Sequence, residues 1–208
     1  MTLLILGLIL FLGTHLFTTV RGPREQLIGR FGEGAYRGIY SLLSLGGLVL
    51  LSIGYDAYRA NGYIPVWNPP AWFGHVSLLL MLAAFIFFVA AYVPGRIKAR
   101  LKHPMLVGVK VWALAHLLAN GDLGSMLLFG SFLAWAVVAR INVKHRSIAS
   151  QHLGPAVAVG GWRNDLLAVG IGTAAYIAFA LWLHPWLIGV KVVPGRSGVA
   201  ALATAVIL

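Results

Sequence analysis

The sequence predicts an all-α protein, a polytopic transmembrane helical bundle of about six helices forming a single domain over residues 1–208. Three observations carry this. Of the 208 residues, 60% are hydrophobic and only 10% are charged, whereas a soluble domain carries roughly 25% charged residues. The apolar residues gather in runs close to the roughly 20 residues that a spanning helix needs. The charges stand in short clusters between those runs. A soluble chain this apolar would expose patches large enough to aggregate, so a lipid bilayer is the solvent that suits it.

The elements follow in order. The first run, Thr2 to Val20, has no basic segment before it and no small-residue cleavage site before Arg21, so it is read as a span rather than a cleaved leader. The second runs from Gly38 to Tyr55. Gly47 and Gly54 share one face of it with Ser44 nearby, which lets another backbone come close. The third is Ala71 to Val93. The fourth, Met105 to Ala119, is short. Its helix either begins near Arg96 with Pro104 as a kink, or takes Pro104 as a new first turn. The fifth, Leu123 to Ala139, follows after only Asn120, Gly121 and Asp122. Gly121 is expected in the left-handed conformation, and Asp122 as an N-cap with Ser125 at the third position. Gly130 and Ala134 offer a small-xxx-small contact on this helix. The sixth is Leu166 to Leu183. The tail 195–208 is apolar but too short to span alone, and it is left unassigned. Trp67, Trp72, Trp162, Trp182 and Trp186 fall near helix ends, as in an interfacial aromatic belt.

Orientation follows from the basic residues. Twelve of the sixteen Lys and Arg lie on the first, third and fifth connections, which the positive-inside rule makes cytoplasmic. Both termini are then expected on the periplasmic side, with Lys191 and Arg196 in mild conflict. The net charge of +11 reads as attraction to anionic lipid, and the pattern excludes nucleic acid as a partner. There are no cysteines, hence no disulfide, thiolate ligand or cysteine nucleophile. No paired carboxylates, phosphate-binding loop, dinucleotide fingerprint or zinc-protease motif is present.

Ionisable groups inside a span are costly and so mark candidate sites. His15 lies in the first helix. His116 lies in the fourth, with Lys110 on the same helix. Trp112 and Asn120 share the face of His116. His75 lies near the outer end of the third helix, and His103 precedes Pro104. A neutral imidazole can donate from one nitrogen and bind a metal with the other. An interhelical hydrogen bond is the competing use, and two lone histidines on different helices do not by themselves spell a metal site. His145, His152 and His184 read as solvated or helix-ending residues.

The stretch from Lys102 through His103, Pro104, Met105, Gly108 and Lys110 to Trp112, Ala115, His116, Asn120, Gly121 and Asp122 resembles the central signature of the NnrU family. Leu128 to Ala136 continues it, and Gly13-Thr14-His15 and Gly32 to Arg37 are similar too. The resemblance spans roughly Leu3 to Trp186. It implies a protein of the bacterial cytoplasmic (inner) membrane associated with nitrite and nitric oxide reduction in denitrification. The family is related to the plant 15-cis-zeta-carotene isomerase, which binds haem b and isomerises a polyene. That relative's haem-ligating histidines match His15 and His116 here, with His75 and His103 in reserve. The resemblance therefore implies haem b as cofactor, held by two imidazoles. Three functions follow: a haem protein serving nitrogen-oxide respiration with a respiratory partner, a haem-dependent isomerase of a lipophilic polyene, or a non-catalytic assembly factor for a reductase.

Overall fold

The computed structural model describes residues 1–61, 64–149 and 161–192, with the backbone alone for residues 145–149. His152 and the tail lie outside the described residues, as do the side chains of His145 and Arg146.

The protein is all-α. Helix α1 is Thr2–Phe17, α2 is Arg21–Ala60, α3 is Trp72–Ala90, α4 is Arg96–Leu101, α5 is Pro104–Ala119 and α6 is Leu123–Ala149. Helix α7, Trp162–Ala178, runs through a π-helical turn, Phe179–Leu183, into the short α8, His184–Ile188. Each of the six apolar runs becomes one helix. Among the described residues, four segments are long and apolar enough to cross a membrane: Arg21–Ala60, Trp72–Ala90, Leu123–Lys144 and Trp162–Ile188. The other two, α1 and α5, have 16 residues each.

Helix α1 lies along α2. Helix α3 sits between α5 and α7, and α6 packs on α5 and α1. Alanines are buried at several helix contacts and many large side chains lie outside: Ala84, Ala113 and Ala136 are fully buried, while Leu42 and Leu79 are 71% and 70% exposed. That inversion suits lipid, where apolar surface needs no hiding and helices associate through close packing. The α1–α2 seam is built on glycine. A Cβ on Gly47 would lie 2.7 Å from the Phe11 nitrogen, and one on Gly54 or Gly7 would overlap the backbone of Leu4 or Leu51. The tryptophans expected at the interface are exposed at their helix ends, Trp186 at 79% and Trp182 at 65%.

Several expectations need correction. The first connection is not a loop, because α2 begins at Arg21 and bends at Gly32, whose φ of 80° and ψ of 158° suit only glycine. Hydropathy missed this first arm because its arginines alternate with Leu27, Ile28 and Phe31, an amphipathic pattern with no long apolar run. Helix α6 likewise continues past Ala139 into polar sequence. Pro104 opens a new helix: α4 ends at Lys102, which has a positive φ of 62°, and Pro104 occupies the first turn of α5. Gly121 is not left-handed, since the positive-φ glycines among the described residues are Gly32 and Gly189. It is needed for close approach instead. Its carbonyl accepts from the Val66 and Trp67 nitrogens at 2.8 and 3.0 Å, and a Cβ there would strike the Trp67 carbonyl. The Gly130–Ala134 pair makes no helix contact at Gly130, where a Cβ would meet nothing. Gly124, under the Tyr58 ring, does that service for α6.

Candidate functional site

The two intramembrane histidines sit on the two short helices and are held alike. His15 Nδ1 is 2.7 Å from the Phe11 carbonyl, and His116 Nδ1 is 2.9 Å from the Trp112 carbonyl. A carbonyl only accepts, so in each ring Nδ1 bears the proton and donates it. The neutral ring then keeps its lone pair on Nε2, the form in which imidazole binds a metal. Neither Nε2 has a hydrogen-bond partner among the described residues. The helix itself fixes each tautomer, because the acceptor is one turn back on the same chain. The same bond adds a second acceptor role to the Phe11 and Trp112 carbonyls.

Both rings face the aromatic side of α6. His116 stacks on Phe129 with centroids 4.4 Å apart and planes 26° from parallel, and Trp112 lies 5.3 Å away. His15 meets the edge of Trp135 at 5.7 Å and lies 5.5 Å from Tyr40 of α2. The histidines are joined by a line of rings rather than by contact. From His15 it passes to Phe11 at 4.3 Å, on to Phe132 at 5.6 Å, to Trp112 at 5.4 Å and then to His116. Helix α5 runs antiparallel to α1, and each histidine lies near its helix's C-terminal end, so the two are staggered in depth.

Among the described residues, three buried polar atoms on α2 and α6 are left unpaired. The Tyr36 hydroxyl, the Ser44 hydroxyl and the Trp135 indole nitrogen are buried without a hydrogen-bond partner. An unpaired buried polar group costs about 1–3 kcal/mol. Tyr36, Tyr40 and Ser44 stand four apart on one face of α2, and Trp135 touches His15 from α6. These residues were missed in the sequence, although a polar stripe at a spacing of four in an apolar helix was the available signal.

The other candidates are placed as follows. Asn120 caps the end of α5, its side-chain amide donating to the His116 carbonyl at 2.8 Å. Asp122 is the expected N-cap, its carboxylate accepting from the Ser125 nitrogen at 2.9 Å. Next to it, Tyr55 and Ser125 share a hydrogen bond of 2.7 Å. His75 is exposed on α3. It stands about 200° round the helix from Ser77, whose hydroxyl donates to the Ala115 carbonyl at 2.8 Å, so it faces away from α5. His103 caps the other end of α5. Its imidazole is pushed below the usual value, first by partial burial and then by the nearby Arg140 and Lys102 charges. Lys110 is half-buried and has no ion-pair partner among the described residues. His184 also places Nδ1 on a backbone carbonyl, that of Val190, at 2.9 Å. Among the described residues no three His, Cys, Asp or Glu side chains converge as a metal-binding group.

No curated protein and no solved structure matches this chain. The model of the NnrU family, described as NnrU protein, matches residues 3–192. That match covers the whole helical bundle and both histidines, and the chain belongs to the NnrU family.

Proposed function

We propose that this is a haem-binding protein of the bacterial cytoplasmic membrane, associated with nitrite and nitric oxide reduction, with both termini on the periplasmic side. The observation that carries the cofactor is the paired locking of His15 and His116, each with Nδ1 on its own helix and Nε2 bare. The residues fit such a group individually. The tautomer is the ligating one, the walls are flat aromatic rings, and Trp135, whose indole nitrogen is buried and unpaired, meets His15. Phe11, Phe132 and Trp112 lie between the two imidazoles. Haem b bound here supplies one-electron exchange at its iron. The chain's own residues hold and shield it: the Phe11 and Trp112 carbonyls orient the imidazoles, the α6 rings exclude water, and Lys110 offers a cation to an acidic substituent.

The test is a reduced-minus-oxidised spectrum of the full chain purified from haem-replete cells. A Soret band with sharp α and β bands is expected, lost or strongly perturbed in both His15→Ala and His116→Ala. His145→Ala and His152→Ala should leave it unchanged. Protein that is folded, pure and free of Soret absorbance refutes the cofactor.

A further inference from the structure

The bend at Gly32 opens a groove of about 410 Å³ between the end of α1 and the two arms of α2. Small-molecule sites occupy about 300–1,000 Å³. Leu27 and Phe31 line it from before the bend, Tyr36 and Tyr40 from after it, and Thr14 and Phe17 from α1. No histidine and no charged side chain is among the lining residues. The groove is therefore distinct from the imidazoles, although the Tyr40 ring touches both the groove and His15.

Its chemistry restricts the occupant. The walls are apolar and largely aromatic, which favours a flat, hydrophobic molecule. The Tyr36 hydroxyl is enclosed and closed to an occupant. Tyr40 also lines the groove, and its hydroxyl makes no hydrogen bond to the described residues. A pure hydrocarbon would leave it unpaired at a cost. A carboxylate would be buried among uncharged walls, which is costlier. The nearest cation, Arg24, stacks over the Tyr36 ring at 5.7 Å and is not part of the lining. A neutral carbonyl oxygen answers the Tyr40 hydroxyl at no charge penalty. Phe31, at 56% exposed, leaves the mouth open to lipid, where an apolar tail can lie.

We propose that this groove binds a membrane quinone: a planar ring bearing carbonyl oxygens, its head against Tyr40 and its tail in the bilayer. This binding does not require the cofactor proposed above, and its test does not read the cofactor.

The full chain in phosphatidylcholine nanodiscs is titrated calorimetrically with decylubiquinone, and with decylbenzene as a probe with the same tail and no carbonyl. Saturable one-to-one binding of decylubiquinone is expected, with none for decylbenzene. Tyr40→Phe should weaken it about fivefold to tenfold, the loss of one hydrogen bond. Ile39→Trp, which fills the groove from a half-exposed position, should abolish it while the helical circular dichroism is unchanged. The proposal is overturned if decylubiquinone fails to saturate, if decylbenzene binds as well, or if both variants bind as the parent does. It is also overturned if saturating the protein with haem b removes quinone binding, since the groove would then belong to the cofactor.

Discussion

His15 and His116 are alike in backbone and unlike in surroundings. Each lies near the end of a 16-residue helix and each donates Nδ1–H to the carbonyl one turn back. Yet His116 stacks on Phe129 with Trp112 against both, beside a polar end where Asn120, Asp122, Ser125 and Tyr55 are all hydrogen-bonded. His15 has looser company: the Trp135 indole nitrogen beside it is unpaired, and an open groove lies one helix face away. The same imidazole geometry is thus set once in a finished pocket and once in an unfinished one. Positioning an imidazole is a local matter of one helical turn. Saturating its neighbourhood depends on what packs from other helices.

The comparison breaks most sharply at Phe129. This ring is 6% exposed and packs on both His116 and Trp112. Phe129→Ala should cost about 3–5 kcal/mol, the usual range for removing a buried phenyl ring, seen as a large fall in thermal midpoint in detergent. A small fall would mean that the His116 pocket is as loosely packed as that of His15. The opposite sign is expected at Tyr36. Its hydroxyl is buried and unpaired, so in ligand-free protein Tyr36→Phe should be neutral or raise stability by up to about 1 kcal/mol. Destabilisation on the scale of Phe129→Ala would show a hidden partner and erase the contrast.

A finer cut lies at Asp122. Since its carboxylate caps the Ser125 nitrogen, Asp122→Ala should cost about 1 kcal/mol and Asp122→Asn only a few tenths, measured by the same melts. A marked change in the absorption spectrum of Asp122→Asn with intact folding would extend the His116 pocket to this turn and show that its charge matters there.

The elements most legible in the sequence were those governed by hydropathy or by a single local bond. All six apolar runs became helices, the glycines Gly47 and Gly54 mark the α1–α2 seam, and Asp122 caps α6 as its spacing implied. Amphipathic helix was less legible: the first arm of α2 and the end of α6 carry too much charge to register as apolar, yet their periodicity is helical. Gly121 was misread because a glycine after a helix serves either a positive φ or a close approach, and only the segment around Trp67, distant in sequence, decides between them. At the site, the candidate histidines were visible as costly residues in apolar helices. The orienting carbonyls were also implicit, one turn back. The unpaired Trp135 nitrogen beside His15 was not, since that contact exists only once α6 packs on α1.

The shortness of α1 and α5 has its own consequence in the membrane. Sixteen residues reach about 24 Å at about 1.5 Å per residue, some 6 Å less than a hydrocarbon layer of about 30 Å. Their neighbours α2, α3 and α6 are longer, so the deficit belongs to these two helices. A bilayer meets such hydrophobic mismatch by thinning locally. Headgroups and water then dip toward α1 and α5, and both imidazoles ride on the helices over which the lipid is thinnest.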